Sequence, residues 1–255
     1  MTEERFTPQM YLDYYTAQRD ISVGDIGVAP VAVISWGGKV IEALAEAVGA
    51  EPAPHWFYER YPCYTGEVQG QPVSFAEAPV GAPGTVLLME EMIACGARLF
   101  LGLGWAGSLQ PSAPVGTMFL PSRCIREEGT SYHYLGSDET VWPDEGLVDS
   151  LWSAAQTEGA EVVAGPQWTT DAPFREFKSK IAAYQEQGVL GVDMETSAMY
   201  ALGQFREVRV CNLLVVSDEL WDEWRPAFGS EALKDATDLA QRVVLRCLEN
   251  GFELM

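Results

Sequence analysis

Two acidic side chains stand where apolar segments end, and these positions could support chemistry on a polar ligand. Glu195 comes three residues after a short apolar segment over 188–192, and Asp218 follows a longer one over 208–216. In α/β sheets, ligands bind beyond the carboxyl ends of the strands. We therefore expect both carboxylates to face one cleft.

Each acid has a structural and a functional interpretation. Asp193, Met194 and Glu195 lie where a helix is predicted to begin, and both acids could simply cap its first turn. Ser217 and Asp218 could likewise cap the segment after their strand. In the functional alternative, Glu195 accepts hydrogen bonds from sugar hydroxyls while Met194 packs on the apolar sugar face. Asp218 would then donate a proton to the nitrogen of a departing heterocycle.

The elements around these residues alternate between strands and helices. Apolar runs bounded by breaker residues predict strands, and helical spacing predicts helices. The predicted strands cover residues 29–35, 68–78 with a turn at 70–72, 99–103, 115–121, 161–164, 188–192 and 208–216. The predicted helices cover residues 40–48, 85–95, 144–157, 196–202 and 231–248, and a loop passes into a further helix over 172–187. This alternation favours one α/β domain over residues 1–255, with residues 1–28 as an extended N-terminal arm.

Composition and charge narrow the classes of partner. The chain is 47% hydrophobic and 21% charged, which is typical of globular proteins, but its net charge is -21. Such a charge repels nucleic-acid backbones and anionic membranes, so we expect neither as a partner. The five cysteines are widely spaced and match no zinc pattern. Free thiols and the absence of a signal-peptide pattern predict a cytoplasmic protein, and we expect no metal and no cofactor.

Several segments together resemble the nucleoside phosphorylase superfamily. Residues 192–200 (Val-Asp-Met-Glu-Thr-Ser-Ala-Met-Tyr) and 215–218 (Val-Val-Ser-Asp) are similar to its signature pair. Segments 94–111 and 115–121 match its glycine-turn strand and the strand after it, and 64–73 matches its early hairpin. Four matches in order, counting the pair as one, are much more specific than a single motif. The branch most similar is that of the hexameric purine nucleoside phosphorylases and uridine phosphorylases, with the adenosylhomocysteine nucleosidases as cousins.

The resemblance implies a fold, a reaction and an assembly. The fold would be a three-layer α/β/α sandwich around a twisted mixed β-sheet. The reaction would be cleavage of the N-ribosidic bond of a nucleoside by inorganic phosphate, releasing a free base and ribose 1-phosphate. Members of this branch are homo-oligomers, so we expect a dimer or hexamer. The N-terminal arm and the segment 221–228, whose two tryptophans have the spacing of a packed helix, could cover an interface or the site.

The resemblance also assigns roles to residues at matching positions. Glu195 would bind the ribose 2′- and 3′-hydroxyls, with Met194 against the sugar. Asp218, steadied by Ser217, would protonate or hydrogen-bond the base at the departing nitrogen. Phe174 matches the family's base-stacking loop, and the alternative is an ordinary core aromatic.

Two further residues have a functional and a surface interpretation. Arg175 could contact base or phosphate, or be an ordinary surface arginine. His133 lies in a polar aromatic loop after a predicted strand and could reach the sugar 5′ position, or be an ordinary surface histidine.

The phosphate-binding positions depart from the family pattern. The early loop, residues 35–39, lacks the family's aspartate and carries Lys39 in place of arginine. Gly102 replaces a second phosphate arginine, which removes a strong charge-assisted contact. Trp105 replaces a hydroxyl residue, so we expect it to line the substrate site and fill volume that phosphate would need.

Three interpretations of these departures stay open. Phosphate could bind differently, with Lys39 or Arg60 as the first candidates, followed by the other arginines Arg123, Arg126 and Arg175. Water could replace phosphate, as in the nucleosidases, although no matching base glutamate is found in the first loop. The site could also have lost catalysis and retained nucleoside binding.

Overall fold

A mixed β-sheet forms the centre of the molecule, and helices cover both of its faces. The computed structural model describes residues 4–252 of the 255-residue chain. The strands are β1 Val31–Ser35, β2 Glu51–Pro52, β3 Cys63–Val68, β4 Gln71–Glu77, β5 Leu99–Ser108, β6 Met118–Glu127, β7 Val162–Thr170, β8 Gly191–Asp193, β9 Arg209–Glu219 and β10 Arg225–Pro226. The α-helices are α1 Pro8–Ala17, α2 Gly38–Val48, α3 Ala82–Ala94, α4 Glu145–Thr157, α5 Lys178–Glu186, α6 Thr196–Arg206 and α7 Glu231–Glu249.

The sheet order explains the three layers. The strands run β10-β9-β6-β7-β8-β5-β1-β4-β3-β2, and an additional parallel pairing joins β9 to β5. That pairing closes β5, β9, β6, β7 and β8 into a ring, while β1 to β4 extend it as an open sheet. Helices α2, α4 and α7 bury their apolar residues on one face, and α3 and α6 on the other. The expected three-layer α/β fold with a mixed sheet is therefore confirmed.

Register around Gly107 sets the position of the site. This residue lies on β5 opposite Val192 on β8 and opposite Asp218 on β9. A Cβ added to Gly107 would lie 2.5 Å from Leu220 Cδ1 and 3.4 Å from both Asp218 Oδ2 and Val192 Cγ1. Only glycine permits so close an approach. The ends of β8 and β9 therefore lie on the two sides of Gly107.

The N-terminal segment is not extended, so that part of the prediction is wrong. Residues 8–17 form helix α1. Thr7 caps its start, and the Thr7 hydroxyl accepts from the Met10 N–H at 3.3 Å. Leu12, Tyr15 and Ile26 form a small buried cluster that anchors this region. The spacing of Leu12 and Tyr15 is helical and Pro8 occupies the first turn, two signals that outweigh the polar composition.

The segment 221–228 also differs from its helical spacing. It contains the short strand β10, where Arg225 and Pro226 pair antiparallel with Glu219 and Asp218 on β9. Its two tryptophans therefore do not pack as a helix turn. The segment instead lies over the end of β9, next to Asp218.

Other boundaries move by a few residues, and several strands are longer than predicted. Strand β5 continues through the glycine turn to Ser108, and β7 continues to Thr170, because pairing with neighbouring strands outweighs the local glycines. The cysteines within the described chain are free, and all except Cys95 are buried. None of the helices within residues 4–252 has the length and apolarity that a bilayer crossing requires.

Candidate active site

A cleft of about 650 Å³ lies at the carboxyl ends of β5, β8 and β9. The two acids singled out in the sequence both line it, since β8 and β9 flank β5 on its two sides. The cleft brings together six of the predicted site residues: Trp105, Phe174, Met194, Glu195, Ser217 and Asp218. Within residues 4–252, no group of His, Cys, Asp and Glu side chains is arranged to hold a metal ion.

On the β9 side of the cleft, Asp218 is held by two donors. Ser217 donates its hydroxyl to Asp218 Oδ1 at 2.8 Å, and Trp224 donates its indole N–H to Oδ2 at 2.9 Å. The carboxylate is 9% exposed, yet it still borders the cleft. Its remaining lone pairs can therefore meet a ligand in a fixed direction.

On the β8 side, Glu195 is oriented by backbone donors. The Gly81 N–H donates to Oε1 at 2.6 Å, and the Met194 N–H donates to Oε2 at 3.2 Å. Burial, together with the negative charge of Asp193, raises the pKa of Glu195 to about 8. Its side chain does not cap helix α6. The capping interpretation therefore fails for Glu195, and its carboxylate faces the cleft.

Asp193, in contrast, acts as the structural acid of this segment. Its Oδ1 accepts from the Thr169 hydroxyl at 2.7 Å, and its Oδ2 accepts from the Thr196 hydroxyl and, at 3.2 Å, from the Thr196 N–H. These bonds fix the start of α6 to β7. Asp193 thus holds the turn on which Met194 and Glu195 stand.

Phe174 is not a core aromatic, because its side chain is fully exposed while bordering the cleft. It lies in the 3₁₀ turn Pro173–Arg175. The neighbouring Arg175 does not line the cleft; its guanidinium carbon lies 4.7 Å from the centre of the Phe177 ring. The structure therefore brings Phe174 to the site and leaves Arg175 outside it.

His133 lies away from this cleft. It is exposed in the 3₁₀ turn Thr130–His133 and borders a second cavity of about 850 Å³, between α1 and α3. His133 therefore does not line the cleft of its own protomer, and its exposure agrees with the surface interpretation.

At the β1 side of the cleft, Trp36 packs against Gly104 and Trp105 packs against Gly37. We call Trp36 and Trp105 the tryptophan wall. A Cβ added to Gly37 would lie 2.5 Å from Trp105 Cη2, and one added to Gly104 would lie 2.6 Å from Trp36 Cζ3. Strands β1 and β5 are parallel neighbours, so the two Trp-Gly pairs face one another.

Both indoles of the tryptophan wall are fixed by threonines outside the cleft. Trp36 donates its N–H to the Thr85 hydroxyl at 2.8 Å, and Trp105 to the Thr237 hydroxyl at 3.1 Å. With their N–H groups used, the rings offer carbon surface to the cleft. This surface stands where the sequence resemblance places the family's phosphate contacts.

The space near Gly102 is also filled. A side chain at this position would collide with Asn212, whose amide donates to the Thr196 hydroxyl at 2.8 Å. The packing around Gly102 therefore leaves no room for an arginine side chain at this position.

The expected phosphate cations do not reach the cleft. Lys39 and Arg60 are exposed, and Arg60 lies 5.6 Å from the centre of the Tyr61 ring. Of the residues in 4–252 that line the cleft, none is a lysine, arginine or histidine, whereas the acids are Glu176, Asp193, Glu195 and Asp218. The start of α2 also faces a carboxylate, because a Cβ added to Gly38 would lie 2.7 Å from Glu77 Oε2. All charged residues that line the cleft of one protomer within residues 4–252 are therefore acids.

Among the lining residues that the sequence did not single out are Trp36 and Glu176, and Trp224 was expected there only as part of the segment 221–228. Trp36 and Trp224 lie in segments whose fold depends on distant partners, the glycine turn of β5 and the end of β9. Glu176 follows Phe174 by two residues, and that spacing was the available signal. Burial and the nearby negative charge of Asp218 on β9 raise the pKa of the Glu176 carboxyl group to about 7.

Comparison with known proteins agrees with this architecture. The chain is 26% identical over 202 residues to a uridine phosphorylase of Thermococcus kodakarensis, covering 74% of this chain and 72% of that protein. It is 26% identical over 193 residues to a guanosine phosphorylase of Halorubrum lacusprofundi, covering 74% and 80%. The crystal structure of a purine nucleoside phosphorylase from Toxoplasma gondii, in complex with immucillin-H, has the same fold, with a TM-score of 0.81, 22% identity and coverage of 90% and 93%.

These likenesses define the class as enzymes of the nucleoside phosphorylase type, a pentosyltransferase class. The model of the phosphorylase superfamily matches residues 30–249, and the chain belongs to that superfamily. The match spans both the tryptophan wall and the two acids.

Proposed function

We propose that this chain cleaves the N-ribosidic bond of a nucleoside in the cleft. The observation that carries the proposal is the pair of segments beside Gly107, with Met194 and Glu195 on one side and Ser217 and Asp218 on the other. Neighbouring strands are about 4.8 Å apart, so residues on the two strands flanking β5 are about 10 Å apart. That span suits a sugar bound near one acid and a base near the other.

The base would lie against Asp218. Cleavage of a ribosyl C–N bond moves electrons onto the base, and a positioned hydrogen-bonding or proton-donating group stabilises that charge. For this role Asp218 carries a proton, which it shares with or transfers to the departing nitrogen, and Ser217 and Trp224 hold its carboxyl group in place. Phe174 borders the cleft, and in this proposal it stacks on the base and covers it from solvent.

The sugar would lie against Glu195 and Met194. Two backbone N–H groups orient the Glu195 carboxylate, leaving lone pairs for the ribose hydroxyls. Holding the sugar in this way reduces the entropic cost of reaching the transition state. Positive charge that develops on the sugar is also favoured among the carboxylates of the cleft and the aromatic rings of the tryptophan wall.

Two nucleophiles can complete the reaction, and the family supports phosphate. The relatives named above are phosphorylases, so phosphorolysis to ribose 1-phosphate is the first candidate. Lys39 and Arg60 would serve phosphate in this chain only if they moved from their exposed positions toward the cleft.

The lining of the cleft favours water as the second candidate. Trp105 lies against Gly37, the described lining residues carry no cation, and Glu77 lies at the start of α2. The indole ring opposes phosphate by taking up space. The other two oppose it by charge, because a phosphate dianion would be buried among carboxylates without a cation to pair with. A neutral water molecule meets no such penalty, and the reaction would then be hydrolysis.

The alternative to an enzyme is a protein that binds a nucleoside without cleaving it. The identity of the base also stays open. Relatives act on uridine and on guanosine by name, so the likeness alone fixes neither. Assembly as a homodimer or hexamer, and a cytoplasmic location, remain predictions that light scattering and cell fractionation would check.

The test is release of free base from a panel of purine and pyrimidine nucleosides, with and without phosphate. Release that requires phosphate supports phosphorolysis, and release at the same rate without it supports hydrolysis. Nucleoside binding without release from any of the panel would contradict the proposed cleavage.

A further inference from the structure

The corner of the cleft at the tryptophan wall presents carbon to whatever binds there. Trp36 and Trp105 both line the cleft, and their indole N–H groups are bonded to the Thr85 and Thr237 hydroxyls. The two rings therefore have no free polar atom to offer a ligand. A buried water molecule needs about two to four polar partners, and this wall supplies none of them.

This corner is also the side from which a nucleophile would reach the sugar. The sugar and the base are proposed to lie at Glu195 and Asp218, which follow or end the strands on the two sides of β5. The tryptophan wall stands at the β1 side, where the sequence resemblance leads us to expect the family's phosphate contacts. A nucleophile in that position meets indole carbon.

The charges around the cleft favour a neutral nucleophile. Among the described residues that line it, the charged ones are all acids, and the Glu77 carboxylate lies at the start of α2. A neutral hydroxyl compound avoids the cost of burying an anion among these groups. A hydroxyl compound with a carbon chain also gains apolar contact with the wall, which water cannot make.

The wall is rigid, so this carbon surface exists before a ligand arrives. A Cβ added to Gly37 would lie 2.5 Å from Trp105, and one added to Gly104 would lie 2.6 Å from Trp36. Rings packed this closely have no space in which to turn. A surface that is already ordered binds an apolar group without a further cost of ordering.

We propose that the tryptophan wall is an acceptor subsite for a primary alcohol, to which this chain transfers the ribosyl group. The inference rests on the proposed function, because it requires a nucleoside that loses its base in the cleft. The C1′–N bond of the nucleoside breaks, and a bond forms between C1′ and the alcohol oxygen. The base takes the proton of Asp218, and the hydroxyl proton of the alcohol passes to solvent, from which Asp218 is protonated again. The products are the free base and an alkyl riboside, and no other reactant is consumed.

The test is the partition of the ribosyl group between water and a series of alcohols. A nucleoside that releases its base is incubated without phosphate, in equal molar concentrations of methanol, ethanol, 1-propanol or 1-butanol. Chromatography with mass detection then measures the ratio of alkyl riboside to ribose. We expect this ratio to rise by about 2- to 4-fold with each added methylene, the scale of burying a CH₂ group partly or fully.

Three variants locate the effect at the wall. Trp105→Thr removes most of the carbon surface and should reduce the rise to below about 1.5-fold per methylene. Trp105→Phe keeps a smaller ring and should retain part of the rise, which covers the case in which the threonine variant does not fold. Trp152→Phe makes the same change on α4, outside the cleft, and should retain the full rise. The ratio is measured within one reaction, so it does not depend on how fast each variant cleaves the nucleoside.

A ratio that stays constant or falls along the series, or a rise that both Trp105 variants leave unaltered, would overturn the inference. Base release that requires phosphate would overturn it as well. In each of these cases base is still released, so the proposed function stands. Failure of the proposed function has a different signature, because no base is then released in any alcohol, in water or with phosphate.

Discussion

The indole ring of Trp105 lies against Gly37, so closely that a single added carbon on the glycine would be 2.5 Å from the ring. A carbon added to Gly104 would likewise lie 2.6 Å from the ring of Trp36. The two contacts are reciprocal because β1 and β5 are parallel neighbours in the sheet. Together they place carbon surface where the sequence resemblance leads us to expect the family's phosphate contacts.

Gly37→Ala should destabilise the protein by displacing Trp105. The backbone at Gly37 is extended (φ −120°), so the cost is steric and not conformational. Overpacking of this kind costs about 1–3 kcal/mol in the free energy of unfolding. Gly24→Ala is the matched control, because its added carbon would lie 3.7 Å from the nearest atom, Ser22 Oγ. Equal stability of the two variants in urea unfolding would show that the ring is not packed as described.

Asp218→Asn should slow release of base by about 10²-fold or more, the usual scale for loss of a general acid. The asparagine keeps the shape of the side chain but carries neither the charge nor the transferable proton. Single-turnover kinetics with saturating nucleoside would measure the chemical step. A rate equal to that of the unmodified protein would remove Asp218 from the mechanism.

Trp224→Phe should reduce the same rate by about 10-fold, because it removes one hydrogen bond to the Asp218 carboxylate but keeps an aromatic ring. Trp152→Phe makes the same chemical change on the outer side of α4 and should leave the rate unaltered. If both variants were equally active, the indole bond to Asp218 would have no part in positioning it.

Glu195→Gln should weaken the use of ribonucleosides through their sugar hydroxyls. We expect kcat/KM for a ribonucleoside to fall by about 10-fold or more, the scale of a hydrogen bond to a charged group. The 2′,3′-dideoxynucleoside with the same base lacks both hydroxyls, so its kcat/KM should change much less. An equal loss on both substrates would mean that Glu195 does not bind the sugar hydroxyls.

Stability of the unliganded protein should fall as the pH rises from about 4.5 to about 8. Burial raises the pKa of Glu91 from 4.5 to about 7, while its hydrogen bond from Tyr58 lowers it. A raised pKa means that the folded protein binds the proton more tightly than the unfolded chain, so this stabilisation is lost as the carboxyl ionises. Glu176 and Glu195 act in the same direction.

Glu91→Gln should therefore flatten the pH dependence. Its neutral amide oxygen can still accept from Tyr58 but has no proton to lose. Thermal unfolding from pH 5 to pH 8.5 would measure this, with a gain at pH 8.5 of about 2–4 °C for each kcal/mol recovered. Glu186→Gln, at an exposed position, serves as the control, and parallel curves for the two variants would contradict the assignment.

The sequence was sufficient for residues whose role follows from local pattern. Glu195 follows β8 and Asp218 lies near the end of β9, and one cleft holds both as expected, although β8 runs antiparallel to β5 and β9 runs parallel to it. It was also sufficient to show that Gly102 and Trp105 depart from the family pattern. What packs at these two positions, Asn212 beside Gly102 and Gly37 beside Trp105, depends on contacts between distant segments.

Long-range pairing also explains the misses. The helical spacing of the tryptophans in 221–228 was outweighed by pairing of β10 with β9, which places Trp224 on Asp218. His133 follows β6 as predicted, but its turn folds toward α1 and α3 and not toward the cleft. The N-terminal arm was misassigned because its polar residues concealed the helical spacing of Leu12 and Tyr15.

The most direct test of the proposed cleavage is chromatographic measurement of free base after incubation of the purified protein with the nucleoside panel, with and without phosphate, beside Asp218→Asn. At least one nucleoside should lose its base to the unmodified protein, and the variant should be slower by about 10²-fold or more. Base release from none of the nucleosides, in either condition, would contradict it.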